Sequence, residues 1–353
     1  MDSKTLFLVL AVLVVNISSR FYGFWIITSQ ASPRQKGRLF WPAISLQLLV
    51  PISLPSEYPI LKFLLLCNTC LHVFKLIDYY HRYESLSERD RNFKRFFHFF
   101  ECLYTADIRK SFLKVASTEG ILSPLRGGNR EGLDITLRLA LPFKAMGALG
   151  QGVVYLALGM VFLTLNRRFG WWAAFGGTAP LDYVTLAVEY YLICVGLVNT
   201  GVGLHRRMGY KVEGFFSEPL RAGSPGEFWA RWNIPVHEWL KDNVYKKFGG
   251  RRHPYRGLFA TFLASGLFHE YIISLATNTL NGFMVAYFMT QFLLVVLSIS
   301  LHRLLDSCLP VYARVRLTRP FQGMKWSLTV CCVLLPVPLF IHNFEKIFPL
   351  HTW

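Results

Sequence analysis

The chain has 353 residues, 53% of them apolar and only 17% charged, and a mean hydropathy of +0.34. Soluble domains carry nearer a quarter charged residues, so the composition excludes an ordinary soluble protein and predicts an all-α, multi-pass transmembrane bundle. The net charge of +17 is gathered between the apolar runs, which assigns it to lipid headgroups and cytoplasmic loops and leaves no case for nucleic acid.

A helical span needs ~20 mostly apolar residues. The first runs from Thr5 to Ile27, interrupted by Arg20. Asp2 and Lys4 offset each other, so a cleaved leader is disfavoured and a retained span is expected. Asn16-Ile17-Ser18 fits the glycosylation pattern but lies inside this span and is expected to be unused. The second run, Leu39 to Leu54, is closed by Pro51 and Pro55. The third, Tyr58 to Tyr80, carries His72, Lys75 and Asp78 at helical spacing. That stripe fits a polar interior and snorkelling to the interface equally well. Cys67 and Cys70 have CxxC spacing, but there is no second half of a zinc site, so packed core cysteines are expected.

Phe93, Phe96, Phe97, Phe100 and Tyr104 then recur at helical spacing, with Lys94, Arg95, His98 and Glu101 on the other faces. This predicts an amphipathic helix in the membrane surface, with packing on the protein itself as the alternative. The remaining runs are Leu139–Leu165, broken by Pro142 and Lys144; Leu181–Leu204, holding Glu189 and Asn199; Leu258–Ala276, holding His269; Phe283–Leu301; and Trp326–Ile341, with Pro336 and Pro338 near its end.

About eight spans result, and the basic residues test them. Arg34, Lys36 and Arg38 lie between spans one and two, ten Lys and Arg from Arg82 to Arg130 between three and four, and eleven from Arg206 to Arg256 between five and six. The loops at 51–60 and 277–282 hold none. The alternation predicts both termini away from the cytoplasm.

The loop before span six is irregular at Pro219, Gly223, Pro225 and Gly226, then turns aromatic from Glu227 to Tyr245. Phe228, Trp232 and Trp239 share one side of a helix drawn through it, and Asn233 and His237 a neighbouring side. Pro235 allows a kink or a helix start. By composition alone the segment also fits an interfacial aromatic belt. His269 is the sharper signal. A titratable group deep in a span is costly and marks a functional site by default; the bland alternative is a hydrogen-bonded histidine inside a bundle.

Phe228-Trp229-x-Arg231-Trp232-Asn233-x-x-Val236-His237 followed by Ser265-Gly266-x-x-His269-Glu270 resembles the membrane-bound O-acyltransferases, and more narrowly their wax synthase-like branch. The resemblance is sharp over residues 215–276 and rests on hydropathy elsewhere. The residue before Trp232 differs from that of plant members, which bears on subfamily and substrate rather than chemistry. The resemblance implies one membrane-embedded acyltransferase domain over 1–353, with His269 catalytic and Asn233 the second polar residue. It also implies acyl-coenzyme A as co-substrate, a hydroxyl compound as acceptor, and no bound cofactor.

A hydroxyl is a weak nucleophile until a base takes its proton, and an imidazole can do so. An amide such as that of Asn233 can stabilise the resulting oxyanion, an effect of roughly 3 kcal/mol for one donor. His237, Trp232 and Glu270 are supporting candidates, with His237 the rival base. Glu270 points roughly 100° from His269 on a helix, so it is not an obvious orienting partner, and binding a backbone group or capping a polar channel are both open to it. Arg231, Lys246, Lys247, Arg251 and Arg252 are candidate phosphate contacts, with headgroup attraction as the bland alternative. No metal is expected, because His269-Glu270 lacks the second histidine of a zinc helix, and there is no GxSxG, P-loop or dinucleotide fingerprint.

The reading is an acyl-coenzyme A-dependent transferase acting on a lipophilic alcohol that arrives from the membrane lipids. A long-chain alcohol would make it wax synthase-like. A sterol or terpenoid alcohol, acylated or acetylated, is the alternative within the same fold. A non-enzymatic lipid-binding or transport protein is the alternative of another class. The membrane is the endoplasmic reticulum for a eukaryotic source and the plasma membrane for a bacterial one.

Overall fold

A computed structural model describes residues 2–55, 57–101, 146–169, 179–210, 212–308 and 318–349. Among them every regular element is helical: α1 (Ser3–Thr28), α2 (Pro33–Leu49), α3 (Pro59–Arg82), α4 (Phe93–Glu101), α5 (Gly147–Phe169), α6 (Ala179–Arg207), α7 (Pro225–Arg231), α8 (Ile234–Leu240), α9 (Pro254–Thr277), α10 (Phe283–Cys308), α11 (Thr318–Leu334) and α12 (Val337–Ile347). Tyr104, Pro142 and Lys144 lie outside the described residues.

Helices α1, α3, α5, α6, α9 and α10 are long and apolar enough to cross a membrane, and α11 with α12 forms a pair bent by 49°. The protein is an integral, multi-pass membrane protein, and the described residues hold six such helices, or seven spans if the bent pair counts as one. Of the expected runs, Leu39 to Leu54 does not form a span. Helix α2 has only 17 residues, about 26 Å of rise against a ~30 Å hydrocarbon core. Arg34, Lys36 and Arg38 occupy its first half, and Pro51 follows its end. The last run breaks at Leu335-Pro336, because proline cannot supply the next helical N–H.

Helix α3 is the centre of the bundle. More than half of its span is buried inside the protein, against a third or less for every other span. Ile26, Phe40, Ile44, Val73, Leu76 and Tyr79 pack α1, α2 and α3 together, and Phe96, Phe99 and Phe100 join them from α4. The aromatic side of α4 is therefore spent on the protein, while Phe93 stays exposed.

The stripe on α3 faces the interior. His72, Lys75 and Asp78 are each at most 1% exposed, and such groups need partners in a medium without water. Arg20 donates to His72 Nε2 at 2.7 Å, Lys75 Nζ donates to the Phe99 carbonyl at 2.6 Å, and Arg82 Nε donates to Asp78 at 2.6 Å. Asn16 is buried too, giving Nδ2–H to Thr69 and accepting from Gln47. Cys67 and Cys70 are free thiols on the same helix.

Helices α5 and α6 run antiparallel at glycine-limited separation. A Cβ on Gly203 would sit 2.5 Å from the Leu149 backbone nitrogen. Near the other end of the pair Asn166 donates to the fully buried Glu189 at 2.9 Å.

Candidate active site

His269 lies 15 residues into α9, about 22 Å of rise from its start at Pro254. Its Nδ1 is 2.8 Å from the Ser265 carbonyl one turn back. A carbonyl can only accept, so Nδ1 carries the proton and Nε2 keeps a lone pair. The ring is 4.6 Å from that of Phe288 on α10 and 6.2 Å from Phe340 on α12.

Gly266 sets that spacing. A Cβ there would stand 3.0 Å from Val285 Cα and 3.3 Å from Phe288 Cβ, so only glycine lets α9 and α10 approach this closely. Glu270 fixes the same pair from the loop. It is buried and accepts N–H bonds from Gly282, Met284 and Val285, together with the Ser274 hydroxyl. These amides are the otherwise unbonded donors at the start of α10. Glu270 thus binds backbone and points away from the imidazole. Tyr271 binds the Leu48 carbonyl and ties α9 to the end of α2.

The aromatic motif is not one helix. Helix α7 ends at Arg231, and Asn233 sits in the left-handed region at φ 44°, ψ 59° before α8 begins. Asparagine tolerates that conformation better than most side chains, and Pro235 supports the new start. Trp232 and Trp239 therefore part company, contrary to the single-helix reading. Trp232 packs on Phe216, Phe228 and Tyr191. Trp239 stacks on Phe74 of α3 at 4.2 Å and meets Phe268 of α9 at 6.3 Å.

Trp229 shares a neighbour with His269: its ring lies 5.7 Å from Phe288, the ring that touches His269. Its indole N–H donates to Gln291 on α10 at 3.2 Å. Gln291 is fully buried and donates to the Val333 carbonyl of α11. So Trp229 and Trp239 flank α9 at Phe262 and Phe268, with Asn233 on the chain between them. The buried Asn233 Oδ1 has no hydrogen-bond partner among the described residues, and no hydrogen bond joins Asn233 to His269. His237 is one turn on, its N–H bonded to the Asn233 carbonyl. Burial, aided by the charge of Lys241 and opposed by Glu238, holds its imidazole below the usual value.

The candidate phosphate contacts divide. Arg231 is paired with Glu227, and Lys246 with Asp242 at 2.5 Å. Lys247, Arg251 and Arg252 are exposed and make no ion pair among the described residues. Sequence reasoning missed Gln291, Phe288 and Phe340. Only Gln291 left a signal, as a lone amide in the seventh apolar run. Among the described residues no group of three His, Cys, Asp or Glu side chains could hold a metal ion.

Residues 137–304, just under half of the chain, match the model of the membrane-bound O-acyltransferase family. A protein named as a probable alginate O-acetylase of Pseudomonas aeruginosa is 35% identical over 97 residues, 26% of this chain and 19% of that protein. A probable long-chain-alcohol O-fatty-acyltransferase of Arabidopsis thaliana is 35% identical over 99 residues, 26% of this chain and 27% of that protein. Diacylglycerol O-acyltransferase 1 of Bos taurus is 45% identical over 62 residues, 17% of this chain and 13% of that protein. The matched stretch spans about a fifth of the first of these relatives and about a quarter of the second.

Proposed function

Taking residues 137–304 as a domain of the membrane-bound O-acyltransferase family, we propose that the protein moves an acyl group from acyl-coenzyme A to the hydroxyl of a lipophilic alcohol. The observation that carries this reading is the imidazole of His269. Its proton is held by the Ser265 carbonyl, which leaves the Nε2 lone pair free on a half-buried ring that packs against Phe288 and Phe340.

The chemistry follows from that tautomer. Nε2 takes the hydroxyl proton as the oxygen attacks the thioester carbon, and a C–O bond forms. The carbonyl oxygen becomes an oxyanion, which the Asn233 amide stabilises through its N–H₂ group. Collapse breaks the C–S bond, and the imidazolium returns its proton to the leaving thiolate. The aromatic walls keep water from competing for the thioester. Lys247, Arg251 and Arg252 are the basic groups left to meet the donor's phosphates.

By their names the relatives acylate alginate, long-chain alcohols or diacylglycerol. The apolar walls around His269 favour a lipid-soluble alcohol over a sugar, with long-chain and sterol or terpenoid alcohols both in scope.

The test supplies membranes containing wild-type or His269→Ala protein with labelled acetyl- or palmitoyl-coenzyme A and a panel of fatty, sterol and terpenoid alcohols. An ester made by wild type alone is expected, and it names donor and acceptor together. Equal product from both proteins would sink the mechanism. No product from folded wild type on any pair would favour the lipid-binding alternative.

A further inference from the structure

We infer that Arg82 and Asp242 are positioning residues for the proposed acyl transfer. Through them α3, which lies outside the family-matched stretch, holds the segment carrying Asn233 and His237 in register with the helix of His269. This inference rests on the functional reading above.

Two anchors carry it. The first is a chain of alternating charges. Asp78, 1% exposed, accepts from Arg82 Nε at 2.6 Å. Arg82 Nη2 donates to Asp242 Oδ2 at 2.5 Å, and Lys246 donates to the other oxygen of Asp242 at 2.5 Å. The Arg82 and Asp242 side chains are 16% and 19% exposed, so this is not a loose surface pair of the kind that contributes little.

The second anchor is Trp239, which gives its indole N–H to the Phe74 carbonyl at 2.9 Å and stacks on the Phe74 ring. Phe74 also meets Phe268 edge-on at 4.7 Å, and Phe268 immediately precedes His269. Phe74, Asp78 and Arg82 recur every four residues, so both anchors lie along one side of α3, about 12 Å apart.

A segment held at one point can pivot, whereas one held at two has a fixed tilt as well as a fixed place. The local backbone fits that role. Asp242 lies in a single π-helical turn, Lys241–Tyr245. Such turns are uncommon and gather at functional sites, where an extra residue re-aims side chains. Here the turn brings the Asp242 carboxylate to α3 while Trp239, three residues earlier, keeps its own bond to α3.

Asp242→Asn is the informative variant. It weakens the Arg82 contact and leaves Arg82 paired with Asp78, so no buried charge is stranded. Arg82→Ala would strand Asp78 and risks unfolding. With Asp242→Asn we expect kcat to fall about tenfold or more, as misplacement of catalytic groups does, with KM for both co-substrates within about threefold. Asp242→Glu recovers part of kcat. Arg95→Ala, which opens the pair between Arg95 of α4 and Asp90 of the preceding turn, leaves both constants within about twofold. Hydrogen exchange in residues 234–248 speeds up in Asp242→Asn while α9 and α10 keep their protection.

Wild-type kcat in Asp242→Asn overturns the inference. So does a loss of kcat matched by loss of folded protein. His269→Ala run in parallel separates the two readings. If it still makes ester, or wild type makes none, the acyl-transfer reading has failed, and hydrogen exchange alone decides whether α3 clamps the segment.

Discussion

Asn233 has two properties that a single substitution would confound: a left-handed backbone and a buried amide oxygen without a partner. Glycine adopts that backbone freely, whereas alanine pays roughly 1–2 kcal/mol to enter it. Asn233→Gly should therefore keep thermal stability near wild type and lower ester formation by roughly 10²–10³-fold, the cost of one lost oxyanion donor. Asn233→Ala should lose as much activity and also unfold earlier. Kinetics and thermal unfolding of both variants check this, and a fully active glycine variant would remove the amide from the mechanism. His269 was legible in the sequence because a titratable group interrupts an apolar run. That Glu270 is no obvious orienting partner was legible from its angle to His269 on a helix, but the choice between binding backbone and capping a polar channel was not. Its targets lie across the loop at Gly282, Met284 and Val285. The stripe on α3 stayed ambiguous for a similar reason: Arg20 and Phe99, which satisfy it, are remote in sequence.

Helix α5 meets α6 without room for side chains at Gly203, so Gly203→Leu forces the two helices apart. Overpacking costs about 1–3 kcal/mol where side chains can shift, and here the obstacle is the backbone of Leu149. The expected outcome is a detergent-solubilised protein with a clearly lowered unfolding temperature, and activity lost in proportion to folded protein. An unfolding temperature equal to wild type would mean that the pair tolerates separation. The element scale is also where hydropathy read well and then stopped. The runs that became α1, α3, α6, α9 and α10 stand out because about 20 apolar residues have few other uses. Helix α2 falls short of a span because its apolar stretch borrows length from the turn after Leu49. The motif reads as one helix because i,i+4 spacing persists across a break: Asn233 and His237 are still one turn apart, but that turn opens α8 rather than continuing α7.

At the scale of the whole molecule, three blocks converge on His269: the N-terminal helices through Phe74 and Leu48, the family-matched stretch, and the bent C-terminal pair through Phe340 and Val333. Only the middle block announced itself in sequence, since the others contribute carbonyls and rings that carry no motif. Convergence makes stability depend on the charges at the contact between the first two blocks, and the sign can be worked out. His237 is held below its ordinary 6.5 by burial first and Lys241 second. The unfolded chain then binds more protons just below that pH, so stability falls as the medium is acidified from ~6.5 towards the folded value. Asp242 is opposed by burial, but hydrogen bonds from Lys246 and Arg82 outweigh this and set its carboxyl below 3.8. Its contribution is present above that value and is lost only as pH falls through the lower folded one. Both groups thus weaken the protein in acid, in two successive windows. Thermal unfolding followed from pH ~8 down to ~2 should show a decline that begins near the imidazole range and steepens at the acid end. His237→Gln should flatten the first part, and Asp242→Asn the second. A decline unchanged by His237→Gln would place the upper window on another group. Stability that rose on acidification would contradict the burial of His237 beside the α8 start, and with it the placement of the whole motif segment against α3.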